Sequence, residues 1–288
     1  MSDVELSFEF FPPKTETGMQ HLLQTAQTLA DINPRFFSVT FGAAGSAQTH
    51  TPSTVFKIQE HTHVSTTPHI SCVAATKAMT KALLMQYINN GISRLVVLRG
   101  DIPKDAKPEE NHFQFASELV QFIRHETGNH FHISVACYPE FHPETTDVKR
   151  AIFHFKEKID AGANAAITQY FYNADAYCTY RDACEKNNIH VPIIPGIMPI
   201  LNYEKLVAFS KACGAEIPRW LLYRLESYQG DALSFEKFAE EVVHNLCEKL
   251  ITQGAPGLHF YTLNKAEASL RILHTLQYSS GTLYTHST

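Results

Sequence analysis

The chain has 288 residues, of which 44% are hydrophobic and 18% are charged, a composition that is typical of a folded globular protein and argues against a disordered one. Its net charge of −5, without basic patches interleaved with aromatic residues, argues against a nucleic-acid-binding protein. No apolar run approaches the roughly 20 residues of a membrane span, and residues 1–5 lack the pattern of a signal peptide. We therefore expect a cytoplasmic protein without nucleic-acid or membrane partners.

Strand and helix patterns alternate along the whole chain. Short apolar runs predict strands at residues 6–11, 36–40, 68–72, 95–98, 131–137, 165–169, 191–196 and 257–261. Periodic apolar stripes predict helices at residues 19–30, 52–60, 79–88, 115–124, 148–159, 177–187, 203–213, 233–250 and 265–276. Eight strands followed by helices, without a linker, predict an α/β fold of the (β/α)8 TIM barrel class, formed as one domain by residues 1–288. A doubly wound sheet is the alternative, but no G-x-G-x-x-G follows any strand.

The cysteines and histidines form no recognisable metal motif. The six cysteines are scattered without a C-x-x-C pair, which argues against structural zinc and a disulfide framework and fits a reducing compartment. The 16 histidines include no H-E-x-x-H or similar ligand spacing. We therefore expect no metal site.

The first predicted strand carries a carboxylate, Glu9, among the rings of Phe8, Phe10 and Phe11. Apolar rings solvate the charged carboxylate poorly, so they favour the protonated acid, which can donate a proton. An exposed glutamate on an edge strand is the alternative, and this stretch alone does not decide between the two.

Polar residues stand where the other predicted strands end. In this barrel class the ligand lies over the carboxyl ends of the strands. Those ends present Glu9, Thr40, His69, Arg99, Gly100, Asp101, Tyr138, His142, Gln169, Tyr261, Asn264 and Lys265. Singly, His69 could be a core histidine bonded to a backbone carbonyl, and Gln169 could cap its strand. Arg99 could simply pair with Asp101, but the combination favours an enzyme.

Several reaction classes lack their sequence signals. The chain contains no phosphate-binding loop, no metal-ligand spacing and no G-x-S-x-G nucleophile motif. Redox or one-carbon chemistry on a bound organic cofactor remains.

A series of motifs runs through nearly the whole chain in a specific order. It includes S-F-E-F-F-P-P at 7–13, S-V-T-F-G-A at 38–43, P-H-I-S-C at 68–72, L-R-G-D at 98–101, Y-P-E at 138–140, K-I-D-A-G-A at 158–163, I-T-Q at 167–169, I-P-G-I-M-P at 194–199 and F-Y-T-L-N at 260–264. Together these motifs resemble methylenetetrahydrofolate reductase, in its short bacterial form that consists of the catalytic domain only.

The resemblance implies a flavoprotein oxidoreductase of one-carbon metabolism. Its barrel would hold FAD non-covalently, and NADH or NADPH would reduce the flavin and leave. In this ping-pong order 5,10-methylenetetrahydrofolate would then accept the hydride and become 5-methyltetrahydrofolate, for methionine biosynthesis. The resemblance also implies a homo-oligomer, and it leaves the choice between NADH and NADPH open.

The resemblance also assigns roles to particular residues. It makes Glu9 the general acid that opens the folate ring and Asp101 the carboxylate that faces the pterin and the flavin. On the substrate side it places Asp101, Gln169, Lys205, Phe209 and Lys265. As contacts of the flavin or the nicotinamide it implies Thr40, Phe41, Ala43, His69, Arg99, Gly100, Asp101, Ala116, Tyr138, His142, His154, Lys158 and Gln169.

Some positions depart from the family pattern, and two further functions stay open. Ala151, His154 and Glu157 stand on the flavin side, where a glutamate near a diphosphate is unfavourable unless it points away. On the folate side, Lys265 keeps the charge of the usual arginine without its bidentate fork, and Lys205 replaces a glutamine. A folate-binding methyltransferase with a corrinoid partner, or a non-catalytic folate- or flavin-binding relative, remains the alternative.

Overall fold

The computed structural model describes residues 4–41, 50–73, 76–100, 113–141, 145 and 147–276, and two short strands beyond them. The strands are β1 (Glu5–Phe10), β2 (Phe36–Val39), β3 (Thr66–Ser71), β4 (Arg94–Leu98), β5 (His132–Cys137), β6 (Ala165–Thr168), β7 (Ile193–Ile194), β8 (Gly196–Ile197), β9 (Gly257–Tyr261), β10 (Tyr278–Ser279) and β11 (Thr282–Leu283). The helices are α1 (Glu16–Ala30), α2 (His50–Thr62), α3 (Lys77–Asn89), α4 (Ala116–Thr127), α5 (Val148–Asp160), α6 (Ala174–Lys186), α7 (Tyr203–Cys213), α8 (Arg219–Ser227), α9 (Ala232–Thr252) and α10 (Glu267–Thr275).

The parallel strands form the predicted (β/α)8 barrel. Their order is β7-β6-β5-β4-β3-β2-β1-β9-β8, so β7 and β8 stand at the two edges of the sheet. These two strands are halves of one extended segment, joined through Pro195, and this continuity closes the sheet on itself. Each βα unit therefore delivers the carboxyl end of its strand to the same face of the barrel.

The seventh predicted strand, residues 191–196, is interrupted at Pro195. A proline has no backbone N–H, so it cannot continue a hydrogen-bonded ladder. Its carbonyl instead accepts from the amide of His259 at 3.0 Å, and the segment changes partner there: β7 pairs with β6, and β8 pairs with β9. The prediction of one continuous strand was wrong because Pro195 interrupts the hydrogen-bonded ladder within the segment.

The alternation of side chains in β1 divides the core in two. Leu6, Phe8 and Phe10 are buried in the large cluster between barrel and helices, where Phe8 stacks on Phe260 at a centroid distance of 5.6 Å. A smaller apolar cluster is formed by Phe36, Val96, Ile167 and Ile194, with Leu98 packed against it. Since successive residues of a strand face opposite sides, Ser7 and Glu9 point into the barrel.

The helices follow the predicted stripes, with one addition. In α1, Met19, Leu22, Ala26 and Leu29 are buried at the spacing of one helix face, and the Thr15 side chain caps the helix by accepting from the amide of Gly18. Sequence reasoning missed α8, because this short helix buries only Leu221 and Leu225, too narrow a stripe to recognise. No helix within the described ranges is both long enough and apolar enough to cross a membrane.

Candidate active site

The carboxylate of Glu9 lies between two imidazoles at the carboxyl end of the barrel. Its Oε2 atom is 3.3 Å from Nε2 of His69 on β3 and 3.5 Å from Nε2 of His259 on β9. The Glu9 side chain is 11% exposed, and both histidines are buried. Neither Nε2 atom meets hydrogen-bond geometry with a described residue, so the carboxylate and the imidazoles interact through space as charge and dipoles.

The predicted surroundings of Glu9 were wrong in detail. Phe8 and Phe10 are buried on the opposite face of β1, and Phe11 is exposed. The cause is the two-residue period of a strand, which separates residue 9 from residues 8 and 10. Glu9 is inward-facing and buried, as the acid hypothesis requires, but its neighbours are imidazoles and not phenyl rings.

His69 is neutral at neutral pH. Burial lowers its pKa from 6.5 to about 4, and the nearby Glu9 carboxylate only partly opposes this, while His259 adds to the lowering. Neither ring nitrogen bonds a backbone carbonyl of the described chain, so His69 is not a core histidine bonded to a carbonyl, the alternative that the sequence left open.

Several buried polar atoms near Glu9 lack a hydrogen-bond partner among the described residues. They are Oγ of Ser38, the β2 neighbour of Glu9 in register, both ring nitrogens of His69, and Nε2 of His259. Buried polar groups are nearly always hydrogen-bonded in folded proteins. Their clustering at the ligand face of the barrel indicates a binding site for a molecule with polar atoms.

Sequence reasoning missed His259. Its Nδ1 atom lies 2.7 Å from Oγ of Ser7, a buried hydrogen bond that fixes the orientation of the imidazole and aims Nε2 at Glu9. The available signal was the alternation in β9, which places residues 257, 259 and 261 on one face, together with a polar residue in a buried strand.

The segment after β9 holds the backbone at Glu9. The hydroxyl of Thr262 donates to the Glu9 carbonyl at 2.6 Å. The Asn264 side chain accepts from the amide of Phe11 at 2.8 Å and donates to the Phe11 carbonyl at 2.9 Å. Asn264 and Thr262 therefore position the carboxyl end of β1.

The side chain of Tyr261 reaches from β9 to the end of β6. Its hydroxyl donates to the Thr168 carbonyl at 2.6 Å, and its ring meets that of His259 edge-on at 5.4 Å. Burial raises the pKa of Tyr261 well above its usual value, so the phenol stays protonated. A Cβ atom on Gly196 would lie 2.3 Å from the Thr168 carbonyl oxygen and 2.6 Å from Cε2 of Tyr261, so only glycine fits beneath this tyrosine.

The strand-end residues next to this cluster have mostly local roles. The backbone amide of Gln169 donates to the Cys137 carbonyl at 2.8 Å, and the side-chain Oε1 of Gln169 accepts from the backbone amide of Tyr170 at 3.0 Å. Gln169 therefore does cap its strand. Gln169 and Tyr138 line one small cavity. The amide of Thr40 donates to the Phe10 carbonyl at 3.0 Å, which places Thr40 and the half-buried Phe41 after it next to the end of β1.

The end of β4 lies against the end of β3. The carbonyl of Arg99 accepts from the Ser71 hydroxyl at 3.1 Å and from the Cys72 amide at 3.2 Å. Gly100 has a φ of 77°, and a Cβ atom there would lie 2.1 Å from Oγ of Ser71. This close approach explains the glycine in the L-R-G-D motif.

A second group of predicted residues meets between α4 and α5. The ring of Phe115, the residue before Ala116, stacks on His154 at 6.5 Å. Nδ1 of His154 lies 2.7 Å from Oε2 of Glu157, so this glutamate is turned toward its own helix neighbour. Nζ of Lys158 donates to the Ala136 carbonyl at 2.6 Å, and burial lowers its pKa from 10.5 to about 8.

The remaining predicted residues lie apart or outside the described residues. Lys205 and Phe209 are on α7 and Lys265 follows β9. All three are exposed or half-exposed, and the structure gives none of these side chains a contact with the Glu9 cluster within the described ranges. Ala43, Asp101 and His142 lie outside the described residues.

The arrangement can bind a polar ligand and move a proton at its centre. A carboxyl group, two imidazoles and a hydroxyl converge there, and imidazoles and carboxyls are the usual acid–base groups of enzymes. No three His, Cys, Asp or Glu side chains of the described chain are grouped so that they could hold a metal ion.

Comparison with known sequences gives matches over nearly the whole chain. The family model described as methylenetetrahydrofolate reductase matches residues 1–277. Proteins named 5,10-methylenetetrahydrofolate reductase from Buchnera aphidicola (subspecies Acyrthosiphon pisum) and Escherichia coli K12 are 38% and 37% identical, and each alignment covers 96% of this chain and 92% of the relative. Methylenetetrahydrofolate reductase 1 of Schizosaccharomyces pombe is 36% identical, over 95% of this chain but 46% of its own length.

Comparison with solved structures shows the same barrel. A Clostridium thermocellum protein described as binding two copies of 5-methyl-5,6,7,8-tetrahydrofolic acid superposes with a TM-score of 0.67 at 17% identity, covering 96% of both chains. Phosphonopyruvate hydrolase in complex with oxalate and Mg²⁺ superposes with a TM-score of 0.54 at 11% identity, covering 95% of this chain and 81% of its own. At such identities the likeness establishes the fold alone.

Proposed function

The chain belongs to the methylenetetrahydrofolate reductase family, and on that premise we propose that it reduces 5,10-methylenetetrahydrofolate to 5-methyltetrahydrofolate. The observation that carries the proposal is the buried carboxylate of Glu9, 3.3 Å from His69 and 3.5 Å from His259, at the ligand face of the barrel. This reaction requires an acid in such a place.

The acid is required because the substrate's five-membered ring must open before its one-carbon unit can accept a hydride. Protonation of a ring nitrogen opens it, and the carboxyl group of Glu9 delivers that proton. His69, neutral because its pKa lies at about 4, leaves Glu9 without a fixed salt bridge. His259, oriented by Ser7, and the Thr262 hydroxyl on the Glu9 carbonyl keep the carboxyl group aimed at the ligand.

The residues at the carboxyl end of the barrel fit a bound flavin. The unpartnered atoms of Ser38, His69 and His259 need hydrogen-bond partners, and the ring of a flavin offers nitrogen and oxygen atoms of both kinds. Bound FAD would supply the hydride, taken from NADH or NADPH in a preceding half-reaction. Thr40, Phe41, Arg99 and Gly100 would hold it.

The other end of the cofactor would lie against α4 and α5. Ala116, His154 and Lys158 are the residues that we assign to the ribityl and phosphate part, where Lys158 supplies a cation. Glu157, turned toward His154, is directed along its own helix. The unfavourable glutamate–phosphate contact is thereby reduced.

The reaction has a direct spectroscopic test. Purified protein should be yellow, and anaerobic NADH or NADPH should bleach its flavin absorbance. Methylenetetrahydrofolate should then restore the absorbance as 5-methyltetrahydrofolate forms. A protein that stays colourless after incubation with FAD contradicts the proposal. A methyltransferase with a corrinoid partner would show neither the flavin spectrum nor the oxidation of NADH.

A further inference from the structure

A second cavity opens at the opposite, amino-terminal end of the barrel. Its volume is about 540 Å³, and it is lined by residues at the starts of five neighbouring strands: Arg35, Ser65, Ser93, Arg94, His132 and Asn164 among them. Catalytic sites of this barrel class lie at the other face, so this cavity is separate from the Glu9 site.

Three arginines and two histidines line this cavity. Arg35, Arg94, Arg124, His130 and His132 line it, and no aspartate or glutamate is among its lining residues in the described chain. The chain as a whole carries a net charge of −5, so this concentration of positive charge does not reflect the average surface. A concave cationic surface raises the local concentration of anions.

Arg94 is the central cation. It is the first residue of β4, points inward in the same register as Val96, and is paired across the sheet with His132. Its guanidinium lies 4.8 Å from the centroid of the Phe36 ring, and no carboxylate in the described residues is within ion-pair distance of it. Its side chain is thus held on an aromatic face, without an ion pair in the described part of the chain.

The two neighbouring arginines differ: Arg124 is bonded to the backbone, and Arg35 is available to a ligand. Arg124 donates to the carbonyls of Gly162, Gly128 and Phe131, so its guanidinium is committed to the backbone of the cavity wall. Among the described residues Arg35 makes one long ion pair, with Glu5 at 3.6 Å, between side chains that are more than half exposed. Such an exposed ion pair contributes little to stability, so an anionic ligand can readily replace Glu5 as the partner of Arg35.

The electrostatics of the cavity agree with this geometry. Burial, and next to it the charge of Arg35, lowers the pKa of Arg94, and the charge of Glu5 only partly opposes this. Burial lowers the pKa of His132 to about 4, with further lowering by Arg94, Arg124 and Arg35. Nδ1 of His132 is buried without a hydrogen-bond partner in the described residues. A bound anion would reduce the repulsion between the arginines and would give Nδ1 of His132 a hydrogen-bond partner.

We propose that this cavity binds a small oxyanion with two or more negative charges, a phosphate ester or a polycarboxylate, through Arg94 and Arg35. Arginine suits such a ligand because its planar fork forms paired hydrogen bonds with phosphate and carboxylate oxygens. The side chains of Ser65, Ser93 and Asn164 offer further polar atoms at the rim. The proposal does not depend on the reaction at the other face.

The test uses inorganic diphosphate and citrate as probes in isothermal titration calorimetry, at constant ionic strength. Full-length protein is titrated with excess FAD present, so that diphosphate cannot report on a nucleotide site. We expect saturable binding of at least one probe at about one per chain. Preference for diphosphate or citrate identifies the phosphate or the carboxylate class.

Variants locate the binding. Arg94→Gln should weaken binding by roughly tenfold or more, because a charge-assisted bidentate contact is lost. The exposed Arg35→Gln, which does not threaten the fold, should weaken it several-fold. Arg219→Gln is the matched control. Arg219 also lies over an aromatic ring, that of Tyr223 at 5.4 Å, but it is on α8, away from the cavity. This variant should bind the probe as tightly as wild type.

Two outcomes overturn the proposal. One is the absence of saturable binding of both probes at millimolar concentration. The other is binding that neither Arg35→Gln nor a folded Arg94→Gln protein weakens. If Arg94→Gln does not fold, which circular dichroism would show, Arg35→Gln decides alone.

Discussion

Glu9 and His259 face each other across neighbouring strands, with the Glu9 carboxylate 3.5 Å from Nε2 of the imidazole, whose other nitrogen is bonded to Ser7. The two side chains come from strands 250 residues apart in the chain that are adjacent in the closed barrel. The geometry of the Glu9 cluster therefore depends on this adjacency.

Glu9→Gln should separate the two half-reactions of the proposed mechanism. Glutamine keeps the shape of the side chain but cannot donate a carboxyl proton, so folate reduction should fall by roughly a hundredfold or more. Bleaching of the flavin by NADH or NADPH should persist, because it needs no proton from residue 9. Stopped-flow absorbance measures both steps. Glu5→Gln, on the exposed start of the same strand, is the control. Folate reduction by Glu9→Gln at the wild-type rate would show that Glu9 is not the acid.

His69 should make stability depend on pH in the acid range. Its pKa is about 4 in the folded protein and 6.5 in the unfolded chain, so the unfolded state binds more protons between these values. Stability is therefore fully present above pH 6.5 and is lost as the pH falls toward 4, by about 2 kcal/mol between pH 7 and 5 from this residue.

The measurement is urea unfolding at pH 7 and pH 5, with wild type and His69→Gln compared. The variant should lose less stability than wild type over this interval. His21→Gln, at an exposed position of α1, should behave like wild type. Equal losses in wild type and His69→Gln would show that His69 is not held neutral by burial.

Gly196→Ala should destabilise the barrel at its closing segment. The added Cβ would lie 2.3 Å from the Thr168 carbonyl oxygen, and neither this backbone nor the bonded Tyr261 above it can move freely. We expect a loss of roughly 1–3 kcal/mol in the free energy of unfolding, as in other overpacked cores. In Gly18→Ala the closest atom would lie at 3.0 Å, in the first turn of α1, and the effect should be smaller.

Lys158 should make FAD binding depend on pH in the alkaline range. The pKa of its ammonium group is about 8, so the cation that we assign to the phosphate side of FAD is lost as the pH rises through that value. The dissociation constant of FAD should therefore increase from pH 7 to pH 9 in wild type.

Fluorescence quenching of added FAD gives the dissociation constant at each pH. In Lys158→Met, binding should be weaker at pH 7 and nearly independent of pH up to 9. Lys149→Met, on the same helix and exposed, is the control. A pH dependence that persists in Lys158→Met would assign the titration to another group.

The sequence alone predicted the barrel and the polar residues at its strand ends. Apolar runs and helical stripes are local signals, so the alternation of strand and helix could be read directly, and Glu9 and His69 were identified because they stand in or beside such runs. His259 was missed because its role depends on a strand partner 252 residues away, which no local pattern reports.

What the sequence determined by itself was the order of its elements and the chemical types that they carry, including the Glu9 carboxylate of β1. Only the tertiary structure decided which side chains surround it. Closure of the barrel through Pro195 made β9 a neighbour of β1, and strand alternation turned Glu9 away from the phenylalanines and toward two imidazoles. The same closure gathered arginines from separate strand starts into one cavity, because parallel strands bring their equivalent ends together whatever their distance in the chain.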